Sequence, residues 1–183
     1  KQHSRTGPDG ALHEGLNSID AVADKLARIE AEMTDPDAPL VAWGFDPIYF
    51  EGRRMDLGDM DRISTNRHVV VLHSNLHLLN ASRTVLEAAN ITAETNIEGI
   101  AKDAQGTPTG ELQEMAAKFM ALDTIGLDYF TETAEKLSLD NFGRIATHPG
   151  VTTATDLFNA APEAAVANLA AWTKEEDFRF RIA

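Results

Sequence analysis

The chain has 183 residues, 43% hydrophobic and 25% charged, and its 16 basic against 29 acidic side chains give a net charge of −13. Nucleic acid and anionic membrane surfaces are poor partners for such a chain, because both are bound through basic patches, and no apolar run approaches the length of a bilayer span. With no Cys, disulfides, thiolate metal sites and a cysteine nucleophile are excluded, which fits a cytoplasmic protein best.

Residues 1–17 are polar and read as a loop. Ser18 is an N-cap for a helix whose apolar positions Ile19, Val22, Leu26, Ile29 and Met33 follow helical spacing. DPDAP at 35–39 stops it, because Pro cannot continue a helix and restricts the residue before it. LVAWGF (40–45) reads as a strand, DPIYFEGRR as irregular chain and MDLGDMDRIS as one short helix. VVVL (69–72), β-branched and bounded by polar residues, is the clearest strand signal. A helix is predicted from Ser82. EGIAKDAQGTPTG reads as a polar hairpin or loop, turning helical near Thr109, with a long helical region over 112–136 broken at Gly126. SLDNFGRIATHPG is a further helix, VTTATDLF a strand, APEAAVANLAAWTKEE a helix with Pro in its first turn, and FRFRIA a strand. The last third therefore alternates helix and strand, a pattern that implies parallel strands. The class is α/β, and an architectural change is expected near residues 115–138. FRFRIA at the end reads as a core strand whose covering elements are missing, so the chain is expected to be an internal piece of a longer protein.

His73 and His77, four apart in RHVVVLHSNLHLLNAS, would share one face of a helix, as in the zinc-binding H-E-x-x-H. The Glu of that motif is missing, the flank is strand-like and no third ligand is evident. One hydrogen-bonded core histidine and one surface histidine is the favoured reading. The acidic pairs Asp59/Asp61, Glu111/Glu114 and Glu175/Glu176 are common in so acidic a chain and are expected on solvated faces. Gly99, Gly106 and Gly110 are too widely spaced for a nucleotide fingerprint and read as turn chemistry, and no G-x-S-x-G is present. WGFDPIYF could wall an apolar pocket, but a core-edge segment burying aromatic area is favoured.

WGFDP, DLGDMDRIS, RHVVVLHSNLHLLNAS and EGIAKDAQGTPTGELQE, in that order, resemble the amidohydrolase 3 family of metal-dependent hydrolases. GVTTATD and FRFRIA resemble later strands of the same family, and the resemblance covers roughly residues 40–183. The P-T-G-x-L-x-E element is its most specific part. The resemblance implies a TIM-barrel hydrolase with an α/β subdomain inserted after the first barrel strand, a bound divalent metal (zinc as a rule) and hydrolysis of amide-type C–N bonds of a small-molecule substrate. Residues 1–36 would lead from the barrel, 37–120 would form the inserted α/β subdomain and 121–183 a partial barrel βαβ segment.

The family's H-x-H metal ligands are absent, since the six His stand at 3, 13, 68, 73, 77 and 148. No metal ligand and no catalytic residue is therefore assigned, and no metal is expected in this chain alone. His77 and Asn80 match the family's G-H-x-x-x-[VL]-N-S element, with Leu76 in place of its Gly, and Glu114 matches the motif Glu. The resemblance puts all three at the substrate cavity, with His77 and Asn80 on a loop. The chain then reads as the substrate-shaping part of a metal-dependent amidohydrolase, itself not catalytic. The alternative is a stand-alone small-molecule or protein binding module built on WGFDPIYF. Homo-oligomer formation stays open.

Overall fold

The computed structural model of the chain describes residues 4–7, 9–126, 132–155 and 163–182. In chain order the elements are β1 (Arg5–Thr6), β2 (Leu12–His13), α1 (Ile19–Glu32), β3 (Leu40–Phe45), a 3-10 turn (Pro47–Phe50), α2 (Leu57–Ile63), β4 (Val69–His73), β5 (Leu78–Ala81), α3 (Arg83–Ala88), β6 (Ile100–Lys102), β7 (Pro108–Gln113), α4 (Glu114–Thr124), α5 (Glu132–Thr147), β8 (Thr153–Ala154), α6 (Glu163–Trp172) and β9 (Arg181–Ile182). They fall into two compact units, residues 1–4 with 14–127 and residues 5–13 with 128–183. Helices and a mixed sheet make the chain an α/β protein, and the described strands form no closed barrel. Among the described residues no helix is long and apolar enough to cross a membrane.

The first unit is built on a five-stranded sheet of order β3-β4-β5-β7-β6. β3 runs parallel to β4, while the β4–β5, β5–β7 and β6–β7 pairs are antiparallel. All five residues of β4, VVVLH, are buried, as the uninterrupted apolar run requires of a strand covered on both faces. Alternation of side chains across the strand sends Val69 and Val71 into one core with Ile19, Val22, Ala23 and Leu26 of α1. Val70 and Leu72 enter the other core, with Leu79, Val85, Leu112, Ala117 and Ala121.

The caps explain where the helices begin. Ser18 Oγ accepts from the Ala21 N–H at 3.0 Å. Asp56 and Asp59 form a reciprocal capping box at the start of α2, which satisfies backbone donors that the helix itself cannot. Asp59 is buried and paired with Arg53 at 2.8 Å, and Asp61 pairs with Arg83. The expected solvated carboxylate pair is therefore two separate ion pairs. The loop that ends α1 is held by the buried Arg67, whose Nη1 donates to the carbonyls of Asp35, Pro36 and Ala38.

Two element boundaries differ from expectation. Residues 108–113 form strand β7 rather than the start of a helix, and α4 begins at Glu114. Strand pairing on both sides, to β5 and to β6, outweighs the helix-favouring Glu, Leu and Gln of this segment. Gly110 permits this pairing: its φ is +94°, and a Cβ there would lie 2.9 Å from the Ala81 carbonyl oxygen. The Gly of the P-T-G element thus serves close strand approach. DPIYF, expected to be irregular, forms the 3-10 turn, with Asp46 Oδ1 accepting from the Ile48 N–H at 3.1 Å.

In the second unit α5 is one continuous helix through Lys136–Ser138, where two helices were expected. The parallel pairing expected of the last third is present in β8–β9. Phe180 packs edge-on against Phe142, 5.2 Å between centroids, and fills the space over Gly143. Lys136 pairs with Glu175 at 2.7 Å. The helical region breaks where predicted, since α4 ends at Thr124 and Gly126 follows at φ +63°. The Asp156–Phe158 end of the predicted strand and Pro162 lie outside the described residues.

Candidate functional site

The site is built where β4 turns into β5 and meets the start of α4. Beyond β4 the chain turns through Ser74–His77, where the Asn75 side chain accepts from the His77 N–H at 2.9 Å. Ser and Asn favour such turns because their side chains bond nearby backbone. Leu76 takes a left-handed conformation, φ +61°, and across from it Glu114 does the same at φ +55°. For side chains other than Gly and Asn, this conformation costs about 1–2 kcal/mol per residue. Glu51 and Asn90 are left-handed elsewhere in the described chain, while Leu76 and Glu114 share one junction. The Glu114 N–H donates to the His77 carbonyl at 2.8 Å. His77 Nδ1 donates to Glu114 Oε2 at 3.2 Å, and Lys118 Nζ donates to the Leu76 carbonyl.

His77 and Glu114 are 66% and 69% exposed, so their hydrogen bond contributes at most about 1 kcal/mol to stability. Lys118 is buried and lacks an ion-pair partner among the described residues. Burial lowers its pKa, and the Glu114 charge opposes that shift.

Beneath this surface lies a second polar group. His73 is 2% exposed, and its Nε2 donates to Asn80 Oδ1 at 2.8 Å. Asn80 Nδ2 donates to the Met55 carbonyl at 2.8 Å. The amide oxygen is therefore the acceptor, and the proton of His73 sits on Nε2. Burial pushes the His73 pKa down, against the Asn80 bond. Asn80 faces Glu111 across the β5–β7 pair. Glu111 is buried and accepts two hydrogen bonds from Arg54, at 2.5 and 2.6 Å, and one from Gln113 at 2.7 Å. Burial raises the Glu111 carboxyl, but the Arg54 and Gln113 bonds outweigh it and hold it below the ordinary carboxylate range.

The structure thus brings His77 and Glu114 together at the surface and separates Asn80 from them. Asn80 is fully buried in β5. Its expected place on a cavity-facing loop is corrected, because strand alternation turns it inward toward His73 and Met55. The spacing argument anticipated one core and one surface histidine, and His73 and His77 are those two. Glu111 and Glu114 do not pair with each other. Sequence reasoning missed Lys118 and Arg54. Lys118 carried a signal, because helical spacing puts it on the same buried face as Ala121 and Leu122 of α4; Arg54 carried none. In WGFDPIYF, Phe45 is buried and stacks on Phe50 at 5.3 Å, while Trp43, Ile48 and Tyr49 are exposed. Tyr49 and Phe50 line a cavity of about 370 Å³ with Ser18, Asp20 and Arg53.

The model of the family described as the amidohydrolase family matches residues 10–183. No curated protein matches the sequence. In fold, the chain is similar to an uncharacterized metal-dependent hydrolase from Pyrococcus horikoshii OT3, with a TM-score of 0.50 and 17% identity over 91% of this chain. A second structure, an uncharacterized metal-dependent hydrolase from Pyrococcus furiosus, matches 91% of the chain at 16% identity and a TM-score of 0.49. The chain spans only 30% and 31% of the length of these two proteins.

Such a family implies a divalent metal. Among the described residues no group of three or more His, Asp or Glu side chains is placed to hold a cation. His73, the buried histidine, is committed to Asn80, and the exposed junction offers only the His77 and Glu114 side chains. The described residues therefore do not fit a resident metal.

Proposed function

The chain belongs to the amidohydrolase family, and on that footing we propose that it is part of a longer metal-dependent hydrolase that cleaves amide-type C–N bonds of small molecules. In this reading the chain shapes the substrate cavity, and the divalent metal, zinc by resemblance, is held by residues outside it. His77 and Glu114 form the substrate-facing surface. Asn80 acts from below, by fixing the strand that carries the turn.

One observation carries this reading. His77 and Glu114 are 37 residues apart in sequence yet bond to each other, and by resemblance each corresponds to a motif position of the family. They meet at an exposed junction where two non-glycine residues hold left-handed backbone. Strain of this kind persists only where surrounding contacts impose it, and it clusters at functional sites.

The test is turnover by the full-length protein on a panel of small amides, with released amine measured. Amide cleavage that is lost on chelation and restored by a divalent cation is the expected result. Turnover of esters or phosphate esters with amides left intact would overturn the reaction class.

A further inference from the structure

We propose that Lys118 is a positioning residue that holds the turn at Leu76–His77 so that the His77 imidazole is presented in one orientation and one tautomer, with Nε2 facing outward as a hydrogen-bond acceptor. This rests on the reading of His77 as a substrate contact, and it names the chemistry of the group that His77 meets.

Three bonds from α4 reach two consecutive residues. Lys118 Nζ donates to the Leu76 carbonyl, the Glu114 N–H donates to the His77 carbonyl, and the Glu114 carboxylate accepts from His77 Nδ1–H. An ionised carboxylate only accepts, so Nδ1 carries the hydrogen and the neutral ring leaves Nε2 as an acceptor. Nε2 has no partner among the described residues. A substrate group that meets it is therefore a donor, as an amide N–H is. A substrate carboxylate or carbonyl oxygen would meet a lone pair there.

The Lys118 contact differs from an ordinary surface pairing. The residue is 7% exposed, and desolvation opposes its charge. The nearest acid by sequence spacing on the same helix face, Glu114, is turned to His77 instead. A buried ammonium is costly unless it is paired or hydrogen-bonded. Here its acceptor is the carbonyl of Leu76, the residue held at φ +61° directly before His77.

The test is the long-range proton–nitrogen spectrum of the full-length protein, labelled with ¹⁵N at histidine alone, at alkaline pH, where histidine is neutral. The wild type is expected to show His77 with a protonated Nδ1 and an unprotonated Nε2. Lys118→Met should move His77 to a mixture dominated by the Nε2–H form of free histidine, and Lys118→Arg, which keeps a donor, should restore the wild-type pattern. A wild-type His77 already in the Nε2–H form overturns the proposal, and that result needs no variant to fold. A Lys118→Met spectrum with an unchanged His77 signature also overturns it. Neither reading involves turnover, so failure here is distinct from failure of the substrate assignment, which is read from the KM of a His77 variant.

Discussion

Asn80→Ala is expected to destabilise the chain by about 2–5 kcal/mol, measured by urea unfolding at neutral pH. Asn80 is fully buried, and both ends of its amide are used. Truncation leaves two buried polar groups without partners, the His73 Nε2–H and the Met55 carbonyl, and each such loss costs about 1–3 kcal/mol. The lower end of the range applies if water enters the space left by the amide. A loss below about 1 kcal/mol would show that Asn80 is not the hub of this network. It would also reopen the expectation, drawn from the family motif, that Asn80 contacts substrate directly.

Arg54→Ala should cost about 2–4 kcal/mol at neutral pH, with a pH dependence that identifies the cause. Removing one partner of a buried pair strands the other charge, at about 3–5 kcal/mol when both are buried. Arg54 is 49% exposed and Glu111 4%, so solvent screening lowers that range. In the wild type the Glu111 carboxyl is held below the ordinary range. Its contribution is therefore fully present above the unfolded carboxylate pKa and is lost as pH falls through the lower folded value. In the variant the Arg54 bonds and charge are gone and the Gln113 bond is left to oppose burial, so the Glu111 carboxyl shifts up and acid removes less of a favourable term. The stability gap between the two proteins should narrow as pH falls through the carboxylate range. His73, which burial holds below the usual imidazole range, destabilises both proteins on the acid side and largely cancels in the comparison. A gap that is the same at neutral and acidic pH would contradict the assignment.

How much of this was legible follows from which interactions are local. The Ser18 cap and the buried valines of β4 were readable, because capping and periodicity depend on near neighbours. The order DLGDMDRIS, HLLNAS and PTGELQE pointed to the family that the match over residues 10–183 shows. β7 was misread as helix because its strand character comes from β5 and β6, which are remote in sequence. Asn80 was misplaced for a related reason: its motif position is visible in sequence, but the inward face it occupies depends on the register of β5 against β4, with Asn80 opposite Val71. The Arg54–Glu111 pair spans 57 residues, and no local pattern announces it.

The central claim is that the exposed His77–Glu114 junction faces the substrate while the Asn80 network supports the fold. The most direct measurement is the steady-state kinetics of His77→Ala in the full-length protein, alongside its unfolding midpoint. Loss of one hydrogen bond to a substrate donor is worth about 0.5–1.5 kcal/mol, so KM should rise up to about tenfold. The unfolding midpoint should barely change, since the exposed His77–Glu114 bond adds little stability. An unchanged KM with normal folding would contradict the claim and leave the junction as surface structure alone.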